Sequence, residues 1–472
     1  MSDPAVGLLL ERLMSPPPRV RWEVARSIAK LIRAGDRSVS QALLVWIGKR
    51  SLESEVALGL GIIQAFDLGA YFDVQAVEAA VRAQSFLSDW LIKSAFPGHA
   101  MAPGGALRFA PQARPVLPHE QKTWFDRYRT QAIAPILSRE FARLDATTGL
   151  PLMERWKHEW GWLQAQQPAP AAEYPSFYSQ RSREQHGQFD LGQRELYATA
   201  FLRTLNYAVA HWKMPAHIAE SYSRLLLTFN RGLADLEPIA RPTWSHGLTQ
   251  TVVDEFADTA RSILEAAKEL AEPEERIIAI RVVDISDEAT FEMDLRLVLA
   301  SDPISAKPDD VAELINLTPT HRPGEFAGLL VPGADGHQFD FDEPYVLAQQ
   351  LWPSECGRAH SEIIPEIRVA SPVIMGREVE LVGTPEDVRL VTAEGPLTRW
   401  IHWYSEWDAT QPVAIDSCVG SVTTVRSDAL KQLVFSRGLE KAWAISATFG
   451  ARENTYKEFE TQSRSAWLSE SD

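Results

Sequence analysis

The sequence predicts a multidomain α plus α+β chain, with helical hairpins, then a helical middle region, then a C-terminal β-rich α+β domain. Three observations support this fold class. A helical hairpin pattern occurs twice near the N-terminus, helical periodicity covers the middle of the chain, and runs of β-branched residues begin near residue 277. At 472 residues the chain is longer than one hydrophobic core usually serves. We therefore expect three domains, at residues 1–97, 98–272 and 273–472.

The first segment contains an internal repeat, offset by 34 residues as from Leu9 to Leu43. Apolar residues of Leu8–Ile32 recur in register within Ala42–Phe66. The pairs in register are Leu9/Leu43, Leu10/Leu44, Leu13/Ile47, Val24/Leu58, Ala25/Gly59 and Ile28/Ile62. Such hairpins cannot bury their apolar stripes alone, so they stack on their neighbours. We expect four helices in residues 5–66, and a weaker third hairpin at Val74–Phe96.

Helical periodicity defines the middle segment. It covers Glu120–Ala146, Leu152–Gln164, Leu191–Lys213, Ala216–Leu236 and Leu248–Ala271. Two stretches rich in proline and polar residues, Pro97–His119 and Gln166–Asp190, are expected to be loops. Trp156 and Trp160 fall on one predicted helix face, where core packing is the favoured role.

After Pro273 the period of the apolar pattern changes from about 3.6 to 2. Ile277–Ile285 and Ala289–Ala300 are the clearest predicted strands, because they are rich in β-branched or alternating apolar residues. Shorter strands are expected at Phe326–Val331, Ile367–Val369, Arg377–Val382, Val388–Val391, Val419–Arg426 and Trp443–Phe449. One helix is predicted at Ser427–Arg437, ended by Gly438.

The charge and cysteine content restrict the classes of function. The chain has 47 basic and 63 acidic residues, a formal charge of −16, which repels phosphate backbones and argues against tight nucleic-acid binding. Its two cysteines, Cys356 and Cys418, are too few for a disulfide framework or a four-cysteine zinc site, and favour a reducing cytoplasm. We expect no signal peptide and no membrane association, since no apolar run approaches about 18 residues.

Two polar clusters keep an enzyme hypothesis open. Asp340 and Asp342 could offer oxygen ligands to a divalent cation, although a solvated loop is favoured. Cys356 and His360 could act as nucleophile and base or form half of a metal site, although a semi-buried cysteine and a loop histidine are favoured. The alternative function is thus a divergent metal-dependent hydrolase or nuclease. The absence of the Walker A, G-x-G-x-x-G, H-E-x-x-H and G-x-S-x-G patterns favours no metal and no cofactor.

The aromatic segment RWIHWYSEW contains Trp400, Trp403 and Trp407. Aromatic side chains at this density are favoured both in cores and at interface hot spots. Core packing is the favoured interpretation, and these three residues are the candidate binding residues if the segment is exposed.

Two pieces of the chain resemble a known group of proteins. LLERLMSPPPRVRWEVARSIAKLI resembles a HEAT-like repeat of the kind found after the NTPase core in large bacterial STAND (NACHT-like) ATP-binding proteins, many of them linked to defence against phage. The order of the aromatic segment, the strand CVGSVTTVR, the helix SDALKQLVFSRG and the strand AWAISATFGAR is similar to the tail of such proteins. The resemblance implies sensing or partner binding. Those proteins carry a P-loop and this chain has none, so ATP switching is not implied for it alone.

These observations favour a cytoplasmic scaffold or sensor module without enzymatic activity. Stacked helical hairpins expose extended surfaces that suit protein ligands. The expected partner is another protein, with an NTPase as one candidate from the resemblance, and the expected cofactor content is none.

Overall fold

The computed structural model describes residues 4–15, 18–99, 125, 135–166, 187–300, 345–351, 367–371, 379–405, 418–454 and 459–469. Helices occupy the N-terminal part and an antiparallel sheet the C-terminal part, which confirms the mixed α and α+β layout. The described residues form two compact units, unit 1 up to Ala234 and unit 2 from Asp235 onward. The division at residues 97 and 272 into three domains stays a prediction.

Unit 1 is helical over its described residues. Its helices are α1 (Pro4–Glu11), α2 (Pro18–Arg33), α3 (Arg37–Gly48), α4 (Glu53–Ala65), α5 (Val74–Ala80), α6 (Phe86–Ala95), α7 (Pro135–Thr148), α8 (Leu152–Gln166), α9 (Gly187–Trp212) and α10 (Ala216–Ser223). Between residues 5 and 66 the described positions hold four α-helices and no strand, as the repeat predicted.

The first two helix pairs pack on each other. Helix α1 contacts α3, and α2 contacts α4. Ile28 and Ile62, which are in register in the sequence, are both fully buried. Gly59 lets α4 approach α3 closely, since a Cβ there would lie 2.5 Å from Cγ1 of Ile47. Leu31, three residues after Ile28 on α2, is 39% exposed.

An aromatic cluster forms the core between α7, α8 and α9. Phe141 stacks on Phe201 with their ring centroids 4.0 Å apart. Trp156 packs edge-on against both rings, and its Nε1 donates a 3.0 Å hydrogen bond to the carbonyl oxygen of Tyr197. Trp156 and Trp160 are both fully buried, so the packing role predicted for them is confirmed.

Unit 2 is built on one long antiparallel sheet. Its described strands are β1 (Glu275–Ile285), β2 (Ala289–Ala300), β3 (Tyr345–Val346), β4 (Ala348–Gln350), β5 (Arg368–Ala370), β6 (Glu380–Gly383), β7 (Asp387–Thr392), β8 (Gly395–Tyr404), β9 (Val419–Arg426), β10 (Glu440–Ala451) and β11 (Glu460–Ser469). The spatial order is β11-β10-β2-β1-β9-β8-β7-β6, and β3 pairs with β2 beyond the end of β1. Helix α11 (Phe256–Ala266) contacts β10 and β11, and helix α12 (Ser427–Arg437) connects β9 to β10.

A short ribbon, β4 paired with β5, lies against strands β8 and β9. Both guanidinium nitrogens at the tip of Arg368 in β5 donate 2.8 Å hydrogen bonds to the carboxylate of Asp294 in β2, which also binds Arg296. Burial acts to raise the pKa of Asp294, but the two arginine charges and their hydrogen bonds hold it well below its usual range. This buried group of three residues fixes the ribbon to the sheet.

Two predicted helices are shorter than expected. The predicted helix Ala216–Leu236 ends at Ser223, and 3-10 turns follow; the side chain of Asn230 caps one of them by accepting from Gly232 N at 2.7 Å. Within the second predicted helix, Leu248–Ala271, only α11 is an α-helix. The first part of this predicted helix consists of 3-10 turns, and the backbone N–H of Thr249 there donates to Asp284 of β1 at 3.2 Å.

Candidate functional site

The predicted catalytic candidates fall outside the part of the chain that the structure describes. These are Asp340, Asp342, Cys356 and His360, and the binding candidate Trp407 lies outside it too. Within the described ranges, no group of three or more histidine, cysteine or acidic side chains is placed to hold a metal ion. The chemistry proposed for those four residues stays a hypothesis.

Trp400 and Trp403 lie in β8 with both side chains fully buried. The ring of Trp400 stacks on His402 at a centroid distance of 4.7 Å, and Trp403 packs edge-on against Trp244 at 5.4 Å. Gly420 of β9 lies opposite Trp403, and a Cβ there would come within 2.1 Å of the indole. The structure thus supports the packing interpretation of these two tryptophans.

A groove of about 620 Å³ runs beside α12 in unit 2. Residues of α12 and its C-terminal end form one wall. They are Ser427, Leu430, Lys431, Val434, Phe435 and Gly438, which recur at intervals of three and four positions and so share one side of the helix. The remaining lining residues are Arg276 in β1, Leu439 just before β10, and Lys441 near the start of β10.

The local sequence explains how α12 presents this wall. Ala429 and Leu433 are buried and pack α12 onto the rest of unit 2, whereas Phe435 is 90% exposed. Gly438 ends the helix in the left-handed conformation (φ 63°), and Leu439 N donates to the carbonyl oxygen of Val434 at 3.0 Å. This end turns the chain directly into β10.

The charged groups of the groove are cationic. Among the residues that the structure describes, Arg276, Lys431 and Lys441 line it and no carboxylate does. Neither Arg276 nor Lys431 has an ion-pair partner among the residues that the structure describes. The floor is apolar, since Leu430 and Leu439 are buried. An apolar floor with basic edges can hold a ligand that has both an apolar group and a negative charge.

Unit 1 contains a second cluster of ionisable groups, buried between α4, α8 and α9. Glu53 pairs with Arg203, and Arg155 pairs with Glu159 while its guanidinium lies 3.6 Å from the ring centroid of Tyr207. Burial raises the pKa of Glu53, and the charge of Arg203 opposes this shift. Each of these carboxylates is paired with an arginine, so we interpret the cluster as structural, holding the packed helices together.

The one cysteine in the described ranges, Cys418, is also held in a structural contact. Its thiol donates to Oδ1 of Asp284 at 3.4 Å, and the same carboxylate accepts from Arg241 at 2.7 Å. Burial acts to raise the pKa of Asp284, but the hydrogen bonds from Arg241, Thr249 and Cys418 hold it below its usual value. We therefore interpret Cys418 as a packing residue that is hydrogen-bonded to this carboxylate.

The sequence predicted α12 at its observed bounds but not its role in a groove. The signal was present, since Leu430 and Val434 are four positions apart, as are Lys431 and Phe435. An apolar stripe on a helix ordinarily indicates burial, so the exposure of Phe435 was not predictable from the pattern.

Comparison with known proteins gives no relative: no protein-family model and no curated protein matches this chain. Among the helices in the described ranges, none combines the length and the apolar content that crossing a membrane requires.

Proposed function

We propose that this protein is a binding protein without enzymatic activity, and that it holds a segment of a partner protein in the groove beside α12. The observation that carries the proposal is Phe435, a large aromatic side chain that is 90% exposed at the edge of a concave, apolar surface. Large aromatic residues are enriched among the hot spots of protein interfaces. An apolar groove that takes the anchor side chains of a peptide is a common mode of peptide recognition.

The helical part of unit 1 serves in this proposal as a HEAT-like scaffold. Two features support it: the 34-residue register between Leu9 and Leu43, and the contacts of α1 with α3 and of α2 with α4. Stacked hairpins provide a long surface suited to a protein ligand. An NTPase partner and a role in bacterial antiphage defence rest on the sequence resemblance alone.

Site-specific photo-crosslinking in the native cell tests this function. A photoreactive amino acid replaces Phe435 in one variant and Tyr71, which is 47% exposed in unit 1, in a control variant. We expect a discrete crosslinked species from position 435 and none from position 71. The captured protein is then purified and titrated against the wild-type chain and Phe435→Ala.

The second step makes the test specific for the groove. Truncation of a hot-spot aromatic side chain weakens binding by roughly 30-fold or more. Phe435→Ala should therefore weaken the affinity by about that factor without changing the melting temperature, because the side chain is 90% exposed. Equal crosslinking from both positions, or unchanged affinity of the Phe435→Ala variant, would contradict the proposal.

A further inference from the structure

We infer that the segment held beside α12 is acidic and carries an apolar anchor side chain. This inference rests on the proposed binding function and specifies the chemistry of the partner. Two observations support it. The charged side chains that line the groove are cationic, and Lys431 and Phe435 are four positions apart on α12.

Two cations of the groove, Arg276 and Lys431, differ from other cations of unit 2. Elsewhere in this unit, arginines are placed against acids: Arg281 against Glu292, Arg389 against Asp387, and Arg399 against Glu275. In the groove, Arg276 and Lys431 have no such partner within the described ranges, and no carboxylate lines the surface. This cationic concentration occurs in a chain with a net charge of −16. A carboxylate from a bound segment would complete these pairs.

The apolar part of the groove indicates the second property of the bound segment, an apolar anchor side chain. Leu430 and Leu439 form the floor, and Phe435 stands at its edge. Burying one leucine or phenylalanine side chain of the partner against this surface contributes more to the binding free energy than an exposed ion pair does. The apolar anchor therefore supplies most of the affinity, and the acids select the partner and its orientation.

The shape of the groove favours a peptide over a small anion. The eleven residues of α12 span about 16 Å, and groove-lining residues occur from Ser427 to Gly438. This length matches about five extended residues or three helical turns. Lys431 and Phe435 are one helical turn apart, so the acid and the anchor of the partner should be similarly close. A nucleic acid or an anionic lipid surface extends its charge beyond the groove and would meet the repulsion of the acidic chain over that larger area, whereas a short segment contacts mainly the groove.

Fluorescence anisotropy with the full-length protein tests the inference. The probes are four labelled peptides of about twelve residues: acidic with leucine anchors, acidic with alanine at the anchors, neutral with the anchors, and basic with the anchors. We expect the acidic anchored peptide to bind at least about tenfold more tightly than the others. Raising the salt concentration from about 50 to 300 mM should weaken its binding several-fold, because exposed charges are screened.

Charge reversal at one position gives the matched control. Lys431→Glu should weaken binding of the acidic anchored peptide about tenfold and strengthen binding of the basic anchored peptide. Lys49→Glu makes the same charge change at an exposed site of unit 1 and should leave both affinities unchanged. Both variants alter exposed side chains, so their melting temperatures should equal that of the wild type.

The outcomes separate the inference from the proposed function. Binding of the neutral or basic anchored peptide as tightly as the acidic one, or binding without salt dependence, overturns the acidic preference and leaves the groove as a binding site. A dimer that becomes monomeric in Phe435→Ala would make a second copy of the chain the occupant and would overturn the inference. Absence of binding by all four peptides, with no crosslink from position 435, overturns both.

Discussion

Nε of Arg203 in α9 donates a 2.7 Å hydrogen bond to Oε1 of Glu53, the first residue of α4, although the two residues are 150 positions apart. Both side chains are largely buried, with exposed fractions of 12% and 6%. The pair ties the second helical hairpin of the N-terminal repeat to the long helix α9. The adjacent residue Ser54 makes a further contact between the same helices, since its Oγ lies 3.0 Å from Oγ1 of Thr199.

Replacing Arg203 by methionine should destabilise the protein strongly. Glu53 would remain buried without its cation, and breaking a buried pair in this way costs about 3–5 kcal/mol. The double variant Glu53→Gln/Arg203→Met should recover part of the loss, because no charge is then left unpaired. Urea unfolding followed by circular dichroism measures both. A loss below about 1 kcal/mol in the single variant would show that the pair is not needed.

Glu55 should make the stability depend on pH near neutrality. Burial, and after it the nearby charge of Glu195, raises the pKa of Glu55 from 4.5 to about 7. The folded state then holds a proton that the unfolded state has lost, so this group lowers stability as pH rises from about 4.5 through 7.

Glu55→Gln removes that dependence. At pH 8 the variant should be more stable than the wild type by about 1–3 kcal/mol, a range reduced because Glu55 is only partly buried. At pH 5 the two proteins should differ little. Glu386→Gln makes the same substitution at an exposed site and is the control. Its stability should differ from that of the wild type by the same amount at pH 5 and at pH 8. Equal stability of Glu55→Gln and wild type at pH 8 would argue against the shift.

Two positions on α2 distinguish its buried stripe from its surface. Ile28→Asp places a charge at a fully buried site and should cost several kcal/mol or prevent folding. Leu31→Asp, three residues later at a site that is 39% exposed, should cost much less. Thermal unfolding compares them, and similar melting temperatures for the two variants would be inconsistent with the packing of the repeat.

Gly420→Ala should be destabilising because β9 and Trp403 are in direct contact. An added Cβ would lie 2.1 Å from Cζ2 of Trp403 and 2.8 Å from the carbonyl oxygen of Arg281, so the backbone must shift, at a cost of about 1–3 kcal/mol. Gly7→Ala, in α1 with open space around it, should instead be neutral or stabilising by up to about 1 kcal/mol.

The double variant Gly420→Ala/Trp403→Leu tests the cause. If the clash with the indole is the main cause, the double variant should lose less stability than the sum of the losses in the two single variants. If the losses of stability are fully additive, the contact with the backbone of Arg281, and not the contact with the indole, explains the effect of Gly420→Ala.

The sequence alone determined where regular elements occur wherever the apolar period was strong and its ends were marked. The change from helical to strand periodicity after Pro273 located β1 and β2, and Gly438 marked the end of α12 because few other residues adopt positive φ at low cost. The local pattern was wrong between Leu248 and α11, where the chain forms 3-10 turns. Thr249 there donates to Asp284, a residue on a distant strand, and a local pattern does not report such a contact.

Only the tertiary structure decided which apolar and charged residues are covered. Trp400 and Phe435 are both aromatic and lie in regular elements, yet one is fully buried within the sheet and the other is 90% exposed. Likewise, Arg203 and Lys431 are both cations on helices, and only Arg203 faces a carboxylate within the described ranges. Periodicity reports which side of an element a residue occupies. What lies opposite that side depends on chain segments far away in sequence, and this decides whether a residue packs or binds.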